Sequence, residues 1–190
     1  NAFTGLTTGV VTGATAGTSV ITYTLSTGCV ATTVVTVNLL PAAITGTTSV
    51  CAGLITSLAD ATAGGSWISS SANATIGSAT GAVTGVTAGT AIITYTLGTV
   101  CISTTTVTVN ALPASIGGTS TVCVGLTTSL SDATTGGTWS SSNANATIGG
   151  STGVVTGVSA GTSTSTYLLG TGCLATTDVT INSVPASITG

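Results

Sequence analysis

The chain repeats itself every 72 residues, with no insertion or deletion. Cys29, Cys101 and Cys173 keep that interval. So do Cys51 and Cys123, Tyr23, Tyr95 and Tyr167, Pro41, Pro113 and Pro185, and Trp67 and Trp139. Residues 39–110 and 111–182 agree at 47 of 72 positions. A fixed period of this kind marks an array of one structural unit. It divides the chain into the C-terminal half of a repeat (1–38), two complete repeats (39–110 and 111–182) and the first strand of a further one (183–190). Asn1 is the equivalent of Asn73 and Gly190 of Gly118, so the sequence reads as a window on a longer polypeptide.

Within a repeat, turn signals recur every 8–12 residues, the mark of a sandwich of short strands. In 111–182 the expected strands are Ser115–Val122, Leu126–Leu130, Gly137–Ser141, Ala146–Ile148, Gly153–Val158, Thr162–Leu169 and Leu174–Asn182. Alternation supplies the buried face. Ile93, Tyr95 and Leu97 share one side of a strand, and Thr94 and Thr96 the other. In the next strand Thr105, Val107 and Val109 oppose Thr104, Thr106 and Thr108. The predicted core is Trp67, Ile76, Val83, Val86, Ile93, Tyr95, Leu97, Val107 and Val109, with their counterparts one period on. No segment has helical periodicity. The linker around Pro113 is short and stiff, which predicts a rod of end-to-end domains.

Composition removes several function classes. The chain has no Lys, Arg or His, and its net charge is -3. The carboxylates are Asp60, Asp132 and Asp178. Nucleic-acid binding needs cations to neutralise phosphates, and anionic lipid surfaces need them too. Mean hydropathy is +0.73. Yet Thr, Ser or Gly breaks every apolar run, whereas a spanning helix needs about 20 apolar residues in succession. Membrane insertion is not expected. Disordered chains combine low hydrophobicity with high charge, the reverse of this composition.

The stretch from Gly137 through Trp139-Ser140-Ser141-Ser142 to Ile148 resembles the bacterial immunoglobulin-like domain of the Big-2 type. So do the run Gly153-Val154-Val155-Thr156-Gly157, the Ala160-Gly161-Thr162 turn and the closing Val179-Thr180-Ile181. The likeness covers both complete repeats and the partial first one. The paired cysteines and the Leu-Pro linker are similar to variants in large surface proteins of Bacteroidota. The resemblance implies an all-β fold of tandem immunoglobulin-like β-sandwich domains in a linear rod. It implies a spacer or fibre module, with no catalytic residues to carry over.

Regularly placed cysteines point to disulfides and an oxidising, extracellular setting. The cysteines are Cys29, Cys51, Cys101, Cys123 and Cys173. Three pairings stay open: within repeats, between domains and between neighbouring chains. Bonds within repeats would join Cys51 to Cys101 and Cys123 to Cys173. In an immunoglobulin-type sandwich, however, the first turn and the last hairpin lie at opposite poles, about 30 Å apart for a strand of nine residues. A disulfide needs Cα atoms about 6 Å apart. In a head-to-tail rod the favoured bond is therefore Cys51–Cys173, between domains. A metal site is not expected, because neither His nor CxxC spacing is present.

The remaining candidates have plain alternatives. Asp60 and Asp132 sit once per repeat in a Gly-rich loop, where Asp caps turns; one carboxylate is too few for a calcium site. Asp178 has no equivalent in the other repeats. Asn73-Ala74-Thr75 and Asn145-Ala146-Thr147 match the N-glycosylation pattern, making Asn73 and Asn145 candidate glycan sites. The rows Thr94, Thr96 and Thr104, Thr106, Thr108 would make a hydroxyl grid, a pattern that solvent-facing strands also favour. A Ser or Thr nucleophile has no base to activate it, and no carboxylate pair serves glycoside chemistry. No enzyme and no cofactor are expected. Strand edges without Lys or charge do not repel a second copy. The expected function is an extracellular or cell-surface filament formed by end-to-end and lateral self-association, with self and covalent glycans as partners. The alternative is the stalk of an adhesin whose binding tip lies outside this segment.

Overall fold

A computed structural model describes residues 1–187. Twenty strands and no helix occur among them. In 1–38 the strands are β1 (Ala2–Thr4), β2 (Val11–Gly13), β3 (Gly17–Thr24) and β4 (Val30–Val37). In 39–110 they are β5 (Thr45–Gly46), β6 (Ser49–Cys51), β7 (Ile55–Ala59), β8 (Gly65–Ser69), β9 (Ala74–Ile76), β10 (Ala82–Gly85), β11 (Gly89–Leu97) and β12 (Ile102–Asn110). In 111–182 they are β13 (Gly117–Gly118), β14 (Thr121–Cys123), β15 (Thr127–Ser131), β16 (Thr138–Ser141), β17 (Ala146–Ile148), β18 (Val154–Gly157), β19 (Gly161–Leu168) and β20 (Leu174–Asn182).

Residues 111–182 form two four-stranded sheets, β13-β15-β18-β17 and β14-β20-β19-β16. Residues 39–110 have the same orders, β5-β7-β10-β9 and β6-β12-β11-β8. This is the immunoglobulin arrangement, with the first strand divided between the two sheets. The expected single strand Ser115–Val122 is therefore two. β13 pairs antiparallel with β15, whereas β14 pairs parallel with β20. Gly118, at φ +107°, turns the chain from one sheet to the other. A side chain there would meet the backbone of Ser129 and Leu130. The other expected strands appear with ends shifted by a residue or so, and Leu174–Asn182 matches throughout. Ser183–Ser187 form no strand, and Ile188–Gly190, the rest of the expected next strand, lie outside the described residues.

The chain divides into two compact units. One comprises Asn1–Ser49, Ile55–Thr84 and Thr90–Thr108; the other comprises Val50–Leu54, Gly85–Gly89 and Val109 onward. Two turns that belong by sequence to repeat 39–110 thus group with the residues after it.

In the second unit the core gathers Val122, Leu130, Trp139, Ala146, Val155, Tyr167, Val179 and Ile181. In 39–110 the equivalent Leu58, Trp67, Ala74, Val83, Tyr95 and Val107 are buried, with Ile93 fully enclosed. Leu58 and Leu130 were not among the expected core residues. Val86 and Val158 were, yet they are 48% and 50% exposed. Strand alternation explains the correction: Val83 and Gly85 point inward, so residue 86 falls on the outer side. Ile76, Leu97, Ile148 and Leu169 are half-buried at the core margin. Residues 1–38 lack the strands that carry Leu58 and Trp67 in the following repeat. Tyr23 is accordingly 68% exposed, where Tyr95 is 5% exposed.

Candidate functional site

The second unit contains one covalent cross-link, Cys51–Cys173, with Cα atoms 5.7 Å apart. Both residues are buried, at 8% and 1% exposure. Cys51 closes β6 and opens a tight turn. Its carbonyl accepts from the Leu54 amide at 3.0 Å, while the Gly53 amide donates to the Gly85 carbonyl at 2.8 Å. The Ala52 amide donates to the Asn110 carbonyl at 2.9 Å. These bonds tie the cysteine turn to β10 and to the end of β12. Cys173 stands in the β19–β20 hairpin. There the Leu169 amide donates to the Cys173 carbonyl at 2.9 Å, and the Gly172 amide to the Leu169 carbonyl at 2.9 Å.

This bond joins the first turn of one sequence repeat to the last hairpin of the next, over a separation of 122 residues. The bonds Cys51–Cys101 and Cys123–Cys173, which the sequence left open, do not form. Cys29, Cys101 and Cys123 are free thiols, so of the five expected disulfide cysteines only two are paired. Their turns nevertheless copy those of the bonded pair. The Leu126 amide donates to Cys123 at 3.0 Å, Gly125 to Gly157 at 2.9 Å and Val124 to Asn182 at 3.0 Å. The Leu25 amide donates to Cys29 at 2.9 Å and the Gly28 amide to Leu25 at 2.9 Å. The Cys101 hairpin differs in one respect, since Val100 takes the glycine position at φ +67°.

The carboxylates behave as turn caps. Asp60 Oδ1 accepts from the Thr62 amide at 2.7 Å and the Ala42 amide at 3.2 Å. Asp132 Oδ1 accepts from the Thr134 amide at 2.7 Å. In each repeat a tyrosine closes the same loop. The Tyr95 hydroxyl donates to the Thr62 carbonyl at 2.6 Å and accepts from the Gly65 amide at 2.8 Å. Tyr167 does the same with Thr134 and Gly137. The rings pack against tryptophan at a tilt of 47°, with centroids 4.6 Å apart for Trp67–Tyr95 and 4.8 Å for Trp139–Tyr167. Asp132, Gly137, Trp139 and Tyr167 line an open recess of about 350 Å³. Its one carboxylate has no second acid or base beside it, because the tyrosine hydroxyl is engaged on both sides. Among the described residues, no three His, Cys, Asp or Glu side chains stand close enough to hold a metal. Asp178 is exposed and accepts from the Thr164 hydroxyl at 2.7 Å across the β19–β20 pair.

Asn73 and Asn145 are half-buried and act within the fold. Asn145 Nδ2 donates to the Thr162 carbonyl at 3.2 Å, and its Oδ1 accepts from Ser159 at 2.8 Å. Its carbonyl accepts from the Val158 and Ser159 amides. Asn73 Nδ2 reaches the Thr90 carbonyl at 3.4 Å, and Asn1 Nδ2 the Thr18 carbonyl at 3.1 Å. The same asparagine therefore clamps the same turn in all three repeats. A glycan on Nδ2 would crowd that clamp. Sequence reasoning read the motif as a sugar acceptor and missed the clamp. Its signal was the constant spacing from Asn145 to Gly161, which repeats at Asn73 and Gly89. Gly161 lies at φ +145°, and any side chain there would press on the Asn145 amide. Thr104, Thr106 and Thr108 are exposed, while Thr94 and Thr96 are half-buried, so the expected hydroxyl grid is uneven.

No family model matches the chain, and no curated protein matches it. Among solved structures, a C-terminal fragment of intimin in complex with the intimin-binding domain of its translocated receptor is similar at TM-score 0.51 and 16% identity. The match covers 76% of this chain and 65% of the intimin fragment. The surface-layer protein SbsC, domains 1–6, matches at TM-score 0.36 and 18% identity, over 95% of this chain and 37% of that one. Drosophila N-cadherin EC1-4 matches at TM-score 0.32 and 9% identity, over 75% and 50%. The intimin likeness agrees with the strand order in identifying an immunoglobulin-like β-sandwich fold.

Proposed function

We propose that this chain is a non-catalytic structural segment of an extracellular fibre, which assembles by end-to-end and lateral contact between copies. On this reading its repeats are tandem sandwich domains of the Big-2 type, set in a rod on a bacterial surface. The observation that carries it is the Cys51–Cys173 bond. A covalent tie between the first turn of one repeat and the last hairpin of the next resists extension at the joint, and such bonds persist in oxidising surroundings. Two further features support it. The exposed sheet faces are hydroxyl and aliphatic, with no cation on the chain to repel a neighbour. The recesses hold no acid–base pair, which leaves the buried polar groups to hold turns.

Electron microscopy of the purified chain in neutral buffer tests this reading. Filaments should form at low and at molar salt alike, because there is little charge to screen. Dispersed particles at every salt concentration would reject it. Elongated monomers in small-angle scattering would favour the adhesin stalk.

A further inference from the structure

We propose that the Cys51–Cys173 bond is a load shunt. It carries tension past residues 52–172, so that the cores of both complete repeats lie off the line of pull. This rests on the fibre role proposed above, which supplies the tension, and it extends the effect of the bond from the joint to both repeats.

The bond closes a covalent ring across a sequence separation of 122. Tension arriving from the N-terminal side runs along the backbone to Cys51, crosses the two sulfurs and leaves along the backbone from Cys173. Nothing between those residues has to hold for the chain to hold. The ring encloses β7 to β19. It contains Leu58, Trp67 and Val107 of one core and Leu130, Trp139 and Tyr167 of the other. It is closed whatever precedes Cys51 or follows Cys173, because a ring depends only on its own bond and the chain between the bonded residues.

The path that remains suits tension. Downstream of Cys173 lies β20, Leu174–Asn182, which is already extended. A strand rises about 3.3 Å per residue, near the limit of a stretched backbone, so a pull along it finds little slack. Upstream, β6 ends on Cys51 itself. The two sulfurs are also shielded, since Cys51 and Cys173 are 8% and 1% exposed. Thiol–disulfide exchange needs a thiolate to reach a sulfur, so small thiols do not cut the link while the fold around it stands.

The enclosed residues include the softer of the two cores. Ser163 and Ser165 are buried inside 111–182, and the Ser165 hydroxyl has no hydrogen-bond partner. The equivalent of Ser165 in 39–110 is Ile93, fully enclosed. A core that gives up apolar burial and leaves a hydroxyl unpaired opens at lower load. Placed in series with the pull, 111–182 would set the strength of the chain; inside the ring it does not. Without the bond the whole ring is free to run out. Its ends start 5.7 Å apart, and a separation of 122 residues stretches to about 400 Å.

Single-molecule pulling on the full chain, held by tags at its two termini, tests the shunt with insertions that leave the cysteines in place. A Gly-Ser insert of about twenty residues, roughly 70 Å when stretched, goes either inside the ring or outside it. The inside site is the hairpin at Thr99-Val100, where Val100 is 82% exposed, and the outside site follows exposed Ser183. Exposed loop tips accept insertions. In the oxidised chain the outside insert should lengthen the fully stretched molecule by its own length, and the inside insert by nothing. With Cys51→Ser, or with Cys173→Ser should the first variant fail to fold, both inserts should lengthen the chain. That chain should also stretch about 400 Å further than the wild type. Adding Ser165→Ile to the bond-free variant should raise the force of its first unfolding step, and in the oxidised chain it should leave the trace unchanged. An inside insert that lengthens the oxidised chain, or a Ser165→Ile effect on its trace, would overturn the proposal. Pulling reads single chains, so the absence of filaments in electron microscopy would remove the fibre and leave the shunt. Filaments built from a chain whose inside insert extends under load would remove the shunt alone.

Discussion

The two complete repeats share their frame and differ in the middle of one strand. Both have the tilted tryptophan–tyrosine contact, the asparagine clamp and the aspartate turn. In 39–110 the inward positions of β11 hold Ala91 and Ile93, both buried. In 111–182 the same positions hold Ser163 and Ser165, also buried at 1% and 0% exposure. Ser163 finds a partner, because its hydroxyl meets the Ser141 hydroxyl at 2.7 Å. The Ser165 hydroxyl is enclosed and has no hydrogen-bond partner. A buried hydroxyl without a partner costs about 1–3 kcal/mol, and the missing isoleucine forfeits about 2 kcal/mol more of apolar burial. Residues 111–182 keep their fold regardless, since the frame around the strand is the same. The lesson is that turns and clamps define this sandwich, while core volume sets how firmly it holds.

That contrast can be broken or sharpened by exchange. The largest effect is expected from Ile93→Ser, which gives 39–110 the core of its neighbour. It should lower stability by about 4 kcal/mol, combining a cavity with a buried hydroxyl. Urea unfolding followed through Trp67, with Trp139 replaced by Phe, reads that repeat separately. An unchanged midpoint would show that residue 93 is not a core position. Next, Cys51→Ser should cost about 3 kcal/mol through the lost cross-link. The same change at its free equivalent Cys123 should shift the thermal midpoint far less. Equal shifts would remove the distinction between the bonded turn and the open one. The reverse exchange, Ser165→Ile, should raise the stability of 111–182 by about 2 kcal/mol, read through Trp139. A loss there would mean that the strand has closed over the smaller side chain and that isoleucine overpacks it. The smallest effect concerns the hairpins. Val100→Gly should gain about 1 kcal/mol, because a β-branched residue is strained at φ +67° and glycine is not. Gly172→Val should lose a similar amount, and differential scanning calorimetry on the pair would show whether the signs are opposite.

Much of this was legible in the sequence because it is local. The 72-residue period, the alternation of Val107 and Val109 with threonine, and glycine-marked turns are properties of short segments, and strands repeat with them. Trp67 and Tyr95 were readable as core, because two large aromatic residues in an uncharged β chain have few other places to go. Val86 was misread because alternation was counted through the end of a strand rather than within it. Asn73 and Asn145 were read only as candidate glycan sites, because a three-residue motif says nothing about the carbonyls of Thr90 and Thr162 that their amides reach seventeen residues later.

By itself, then, the sequence determined the class of element, the repeat unit and the face of each strand, because backbone sterics and side-chain period act over a few residues. The tertiary structure alone decided why the first strand divides between two sheets and what the period-repeated asparagine holds, and it selected Cys51–Cys173, the pairing the sequence favoured, from those left open. Those outcomes depend on distances between segments far apart in the chain. Five cysteines permit several pairings on paper, but a disulfide bridges Cα atoms about 6 Å apart, and only the folded chain brings Cys51 and Cys173 that near.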